Sequence, residues 1–202
     1  MKSKKTSIVL SGSNSRDQPA SDRVQRSVEL LSSIVQKHHT STHRNRQAAS
    51  LELMEGEPME RSQTELKTSY DRVAAEYAKR FYNELDRKPF DCKMLDWFIE
   101  KVNGVGTICD LGCGSGHVAN YLQNRGLDVC GIDLSSGMVE QAQKLNPNIT
   151  FQQGDMLSLD DFADNSLNGI VAFYSIIHVP RLLVVDALRE MSRVLRSRGT
   201  LL

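Results

Sequence analysis

The sequence predicts an α/β fold: a doubly wound, mostly parallel sheet with helices on both faces. Three observations predict it. From residue 107 on, short apolar runs alternate with stretches of helical period, the order that produces parallel strands joined by crossover helices. The first run, Thr107 to Asp110, ends on a carboxylate and breaks at once into Gly112, Gly114 and Gly116, ahead of a stretch that carries Val118, Tyr121 and Leu122 on one helical face. The length, 202 residues of which 40% are hydrophobic, suffices for one substantial domain.

Along the chain, residues 1–66 read as a basic arm. Residues 1–50 hold nine Lys and Arg against three Asp and Glu, and the rest hold 16 against 22, so a formal net charge of zero hides +6 on one part and −6 on the other. An arm rich in Ser, Gln, Arg and Lys with almost no aromatic residues buries too little apolar surface to order itself. Within it, residues 22–36 place Val24, Val28, Leu31 and Val35 on one helical face and predict a helix. RNA or anionic lipid would suit the arm's charge, while its composition favours a solvated tail.

The regular pattern predicts a first helix from Ser69 to about Leu85, with Tyr70, Val73, Ala74, Tyr77, Phe81 and Leu85 at helical spacing. A break follows at Lys88-Pro89, and a second helix carries Leu95, Phe98, Ile99 and Val102 on one face. Strands are expected at 107–110, 128–132, 149–153 and 169–174, and helices at 116–125, 136–145 and 180–195. Pro180 suits the first turn of the last helix, where its missing N–H has no partner to lose. Thr200-Leu201-Leu202 reads as the start of a fifth strand.

The glycine run is a cofactor loop by its composition. Glycine lets the backbone turn sharply and lets a ligand lie against it, and the free N–H groups of a helix start favour a phosphate or carboxylate. The next strand ends on Asp133, the place where such folds put a ribose-binding acid. A dinucleotide and S-adenosylmethionine share that geometry. The dinucleotide fingerprint wants a third glycine at the sixth position from Gly112, which here is His117.

Asp110-Leu111-Gly112-Cys113-Gly114-Ser115-Gly116 resembles the first motif of the class I S-adenosylmethionine-dependent methyltransferases. Gly131-Ile132-Asp133-Leu134-Ser135 resembles that family's ribose-binding strand end, and Gln153-Gly154-Asp155-Met156 its adenine-binding turn. Phe173 to Val179 resembles its fourth strand and active-site turn, and Glu190 to Leu195 with Arg198-Gly199 the helix and turn before its fifth strand. The resemblance runs from about Tyr70 to Leu202. It implies a Rossmann-like fold, with 67–202 as the S-adenosylmethionine-binding domain and the last strands of the family missing at the C-terminus. It implies that Asp110, Gly112, Gly114 and Gly116 cradle the methionine part and ribose, that Asp133 accepts from the ribose hydroxyls, and that Asp155 accepts from the adenine amino group with Met156 facing the ring. It also implies that the helix bearing Tyr70 and Tyr77 covers the cofactor, although the spacing also fits core packing, which is the expected role of at least one of the two tyrosines.

His178 lies just past a strand end, where open α/β folds place their ligand crevice. It reads as the general base of methyl transfer or as a wall of the pocket. The expected acceptor is a small molecule. The acidic domain suits nucleic acid poorly, and Tyr174-Ser175-Ile176-Ile177 stands where base-methylating relatives carry an Asn/Asp-Pro-Pro-aromatic tetrapeptide. A silent, truncated cofactor-binding module and a nicotinamide-dependent oxidoreductase are the competing readings. Cys92, Cys109, Cys113 and Cys130 show no metal spacing, so no metal is expected. No stretch is apolar and long enough to span a membrane, and unpaired thiols point to the cytoplasm. With the fifth strand barely begun, strand four is expected to have little or no neighbour on one side.

Overall fold

The computed structural model describes residues 59–102 and 106–202, with side chains from residue 63; the helix predicted at 22–36 lies outside them. The chain runs α1 (Met59–Phe81), α2 (Pro89–Lys101), β1 (Ile108–Leu111), α3 (His117–Gln123), β2 (Val129–Asp133), α4 (Ser136–Leu145), β3 (Thr150–Gln153), β4 (Leu167–Val171), α5 (Val184–Val194) and β5 (Leu195–Leu201). The five strands form one all-parallel sheet in the order β3-β2-β1-β4-β5.

Alternation along β1 decides which residue faces which layer. Ile108 joins a core under α2, α3 and α4 with Leu95, Phe98, Val118, Leu122 and Ala142. Cys109 and Leu111 point to the opposite face, where Ala187, Met191 and Val194 of α5 cover Ile170 and Leu167. Every residue of β1 and β4 is buried, as central strands of a parallel sheet with helices on both faces must be.

α1 begins at Met59 and therefore crosses position 66. It ends at Phe81, and Leu85 falls in a separate 3-10 turn, Glu84–Arg87. Its inward face is narrower than the spacing predicts: Ala74 and Ala78 are buried, whereas Val73 and Phe81 are exposed. Pro89 opens α2 at its first position, and Lys88 before it is held out of the helical region, as a residue preceding proline must be.

Three expectations are corrected at the C-terminal end. β4 stops at Val171 rather than 174, because the chain turns at Tyr174, which takes a positive φ of 59°. α5 starts at Val184, and Pro180 precedes a 3-10 turn, Arg181–Leu183, instead of lying in the helix. The far side of β4 is paired. Because α5 ends at Val194, Leu195 already pairs with Leu167, and after a register shift Thr200 and Leu201 pair with Gly169 and Ile170. Leu202 N–H then donates to Ile170 O at 3.0 Å, and Ala172 N–H to Leu202 O at 2.8 Å.

Candidate active site

An open cavity of about 140 Å³ lies at the C-terminal ends of β1 to β4, where open α/β sheets bind ligands. Tyr70, Tyr77, Gly112, Gly114, Asp133, Asp155, Met156 and His178 all line it. Asp110 and Gly116 were expected beside them and do not line the cavity.

Asp110 is 2% exposed, and its Oδ2 accepts from Ala119 N–H at 3.0 Å. It points under the loop and caps the first turn of α3, a donor that a ligand would otherwise meet. Burial pushes its carboxyl up to about 7, against the pull of that N–H. Gly116 is packed from beneath: a Cβ there would lie 2.6 Å from Asn146 Nδ2 and 2.8 Å from Phe151 Cζ.

The rest of the loop is also tied inward. Gly112 and Cys113 N–H both donate to Ile132 O, at 2.7 and 2.9 Å, and Gly116 N–H to Cys113 O at 2.9 Å. Gly112 has φ 73°, and a Cβ there would meet Ser175 Cβ at 2.3 Å. Ser175 Oγ in turn donates to Leu111 O at 2.5 Å. The glycines thus serve close packing of the β1 and β4 turns, and the loop offers the ligand a surface more than a set of donors.

Asp133 sits at the end of β2 with both oxygens engaged: Gly114 N–H donates to Oδ2 at 2.8 Å and Ser135 N–H to Oδ1 at 2.9 Å. These bonds fix the carboxylate's plane and leave lone pairs for further donors. Burial pushes its carboxyl up from the ordinary value, against the pull of those two N–H groups. Asp155 closes an Asx turn, its Oδ1 accepting from Leu157 N–H at 2.9 Å, which aims the following Met156 into the cavity beside it.

The end of the cavity beyond β4 is assembled from distant segments. Tyr70 Oη lies 3.0 Å from His178 Nε2, with the two rings edge to face at 5.5 Å. Burial, and then the negative charge of Asp133, raise the Tyr70 phenol above its ordinary value. Tyr77 packs against Tyr70 at 6.0 Å and Phe81 at 4.7 Å. Tyr70 and Tyr77 therefore form a roof and are not core residues.

What holds that roof down is Asp71, which the sequence reading missed. Its Oδ1 accepts from Ser135 Oγ at 2.6 Å and Gly137 N–H at 2.9 Å, and its Oδ2 from Lys67 Nζ at 2.8 Å. Those three bonds hold its carboxyl well below the usual range. A Cβ at Gly137 would lie 3.1 Å from Asp71 Cα and O, so a glycine is what lets α1 approach the start of α4. The signal was a small-residue run, Ser135-Ser136-Gly137, at a helix start, but nothing local pairs it with position 71.

A second missed group, Glu84 and His117, lines the cavity beside Gly114. Glu84 Oε1 lies 3.1 Å from His117 Nε2, and Oε2 lies 2.8 Å from Lys88 Nζ. Burial holds the His117 imidazole below its usual range. Among the described residues no group of His, Cys, Asp and Glu could hold a metal ion, and no helix is long and apolar enough to cross a membrane.

Comparison with known proteins agrees with this geometry. A family model described as a methyltransferase domain matches residues 108–199. Demethylmenaquinone methyltransferase of Beutenbergia cavernae is 34% identical over 94 residues, covering 46% of this chain and 38% of the relative. Malonyl-[acyl-carrier protein] O-methyltransferase of Enterobacter lignolyticus is 26% identical over 133 residues, covering 66% of this chain and 50% of the relative. The chain thus spans half or less of the length of these curated relatives. The crystal structure of the PH0226 protein from Pyrococcus horikoshii OT3 superposes with a TM-score of 0.54 at 26% identity, covering 61% of this chain and 62% of that one.

Proposed function

We propose, from the premise that residues 108–199 are a class I S-adenosylmethionine-dependent methyltransferase domain, that this chain transfers a methyl group to a small-molecule acceptor. The observation that carries the reading is a single cavity with two different ends. One gathers Asp133, Asp155 and Met156 at the tips of β2 and β3, and the other the Tyr70 and His178 pair beyond β4.

The residues fit the group that the family uses as methyl donor. Asp133, with its plane fixed by two N–H groups, accepts from the ribose hydroxyls through its remaining lone pairs. Asp155 and Met156 would take the adenine, and Gly112 and Gly114 would provide a bare surface for the methionine part. Bound there, S-adenosylmethionine would supply an activated methyl group on a sulfonium, with the thioether of S-adenosylhomocysteine as the leaving group. The acceptor's oxygen or nitrogen attacks in line from the β4 side, so that positioning supplies much of the rate. As the new bond forms, Tyr70 Oη receives the acceptor's proton and passes its own to His178 Nε2.

The roof formed by α1 shields the reacting centre from water. The curated relatives above are named for a demethylmenaquinone and a malonyl-[acyl-carrier protein], which supports an acceptor other than nucleic acid. The test is transfer of a labelled methyl group from S-adenosylmethionine to a panel of small hydroxyl and amine acceptors, with Asp133→Ala as the blank. Label in an acceptor with the wild type alone supports the reading; no transfer to any acceptor by a chain that binds the cofactor favours the silent-module alternative.

A further inference from the structure

The cavity wall also carries Glu84 and His117, which neither the ribose position nor the acceptor end uses. Glu84 contacts His117 and Lys88 at 3.1 and 2.8 Å, and Lys88 Nζ also lies 3.7 Å from Asp91 Oδ2. Two carboxylates thus share one lysine. Burial holds the His117 imidazole below its usual range, and the two carboxylates stand against one lysine. A neutral imidazole that donates from Nε2 to Glu84 has an acceptor at Nδ1, and that atom is buried without a hydrogen-bond partner. Glu84, which lines the cavity, keeps lone pairs beyond these two contacts, and a cation with several N–H donors would complement them.

The sheet order says where such a cation would come from. Along β3-β2-β1-β4, the cavity presents Asp155 after β3, Asp133 at the tip of β2, His117 after β1 and His178 after β4. A ligand with its adenine over β3 and its ribose over β2 lays its amino-acid part over β1. We propose that Glu84, together with His117, receives the α-ammonium of the cofactor's methionine part. The proposal rests on the cofactor reading above and extends it to residues outside the glycine loop. It also explains why a dinucleotide is a poor fit: its pyrophosphate would lie over the β1 loop, against Glu84.

The test is calorimetric titration of the wild type and Glu84→Gln with two ligands, S-adenosylhomocysteine and 5′-methylthioadenosine, which is the same nucleoside without the amino-acid group. Glu84→Gln is expected to bind S-adenosylhomocysteine at least tenfold more weakly and methylthioadenosine within twofold of the wild type, the second ligand also reporting an intact fold. Equal affinity of both proteins for S-adenosylhomocysteine overturns the proposal, and if turnover of an amine acceptor falls at the same time, the ammonium belongs to that acceptor. A parallel loss for both ligands overturns it too, because Glu84 would then hold the fold. Wild type that binds neither ligand refutes the cofactor reading itself.

Discussion

The two ends of the cavity are built in different ways. At the cofactor end, Gly112, Gly114 and Asp133 lie on strand tips and the turns after them, and hydrogen bonds donated by the N–H groups of Gly112, Gly114 and Ser135 hold them at 2.7 to 2.9 Å. At the acceptor end, Tyr70 and His178 meet across 108 residues of sequence, and their contact exists because Asp71 clamps α1 onto the start of α4. The difference teaches that the cofactor surface is a property of the sheet's backbone, intolerant of added atoms, whereas the acceptor end is a property of one docked helix. Acceptor chemistry can therefore change by side-chain replacement without disturbing the donor's site.

The sharpest way to break the comparison is His178→Asn. If the ends are independent, turnover of an acceptor found in the screen falls by about 10² to 10⁴-fold, while affinity for S-adenosylhomocysteine stays within twofold; loss of both in step would join the two ends into one. Next in size, Gly112→Ala is expected to destabilise the chain by about 3 kcal/mol, from the clash with Ser175 together with the strained φ. Gly126→Ala separates the two causes in urea unfolding. It also has positive φ, 86°, but a Cβ there meets nothing within 4 Å, so a cost of about 1 kcal/mol is expected.

Asp133→Ala should weaken S-adenosylhomocysteine binding by about 1–3 kcal/mol, the scale of a lost charged hydrogen bond. Unchanged affinity in the titration would move the ribose to another acid. A pH-dependent test concerns Asp110, whose carboxyl is raised from 3.8 to about 7 by burial. A raised acid stabilises the fold fully below its unfolded value and loses that contribution as pH climbs through its folded value. Between pH 4 and pH 7 the wild-type Tm should therefore fall more than that of Asp110→Asn, which keeps an acceptor for Ala119 N–H. Parallel Tm curves would show that Asp110 does not titrate in that window.

The parallel order of the sheet, the glycine loop and Asp133 were legible because each depends on neighbours within a few residues: alternating apolar runs, glycines at positive φ, an acid at a strand tip. The direction of Asp110 was not legible, since an acid before a glycine loop can point out to a ligand or under the helix, and burial chose the second. Asp71 and Glu84 were invisible for another reason. Their partners lie 64 to 66 and 33 residues away, and only the docking of α1 and the 3-10 turn brings them to the cavity. The end of β4 was read three residues too far because Ala172, Phe173 and Tyr174 continue an apolar strand pattern; the turn that places His178 is set by the positive φ of Tyr174 and by Ser175 bonding back to Leu111.

The central claim is that the crevice over β1 to β3 is shaped for a nucleoside joined to an amino acid. Calorimetric titration of the purified chain with S-adenosylhomocysteine, with NAD as the control, tests it directly. Saturable binding of the first at one site per chain, with no heat from the second, is the predicted result. Binding of NAD without S-adenosylhomocysteine, or of neither by a folded chain, would contradict it.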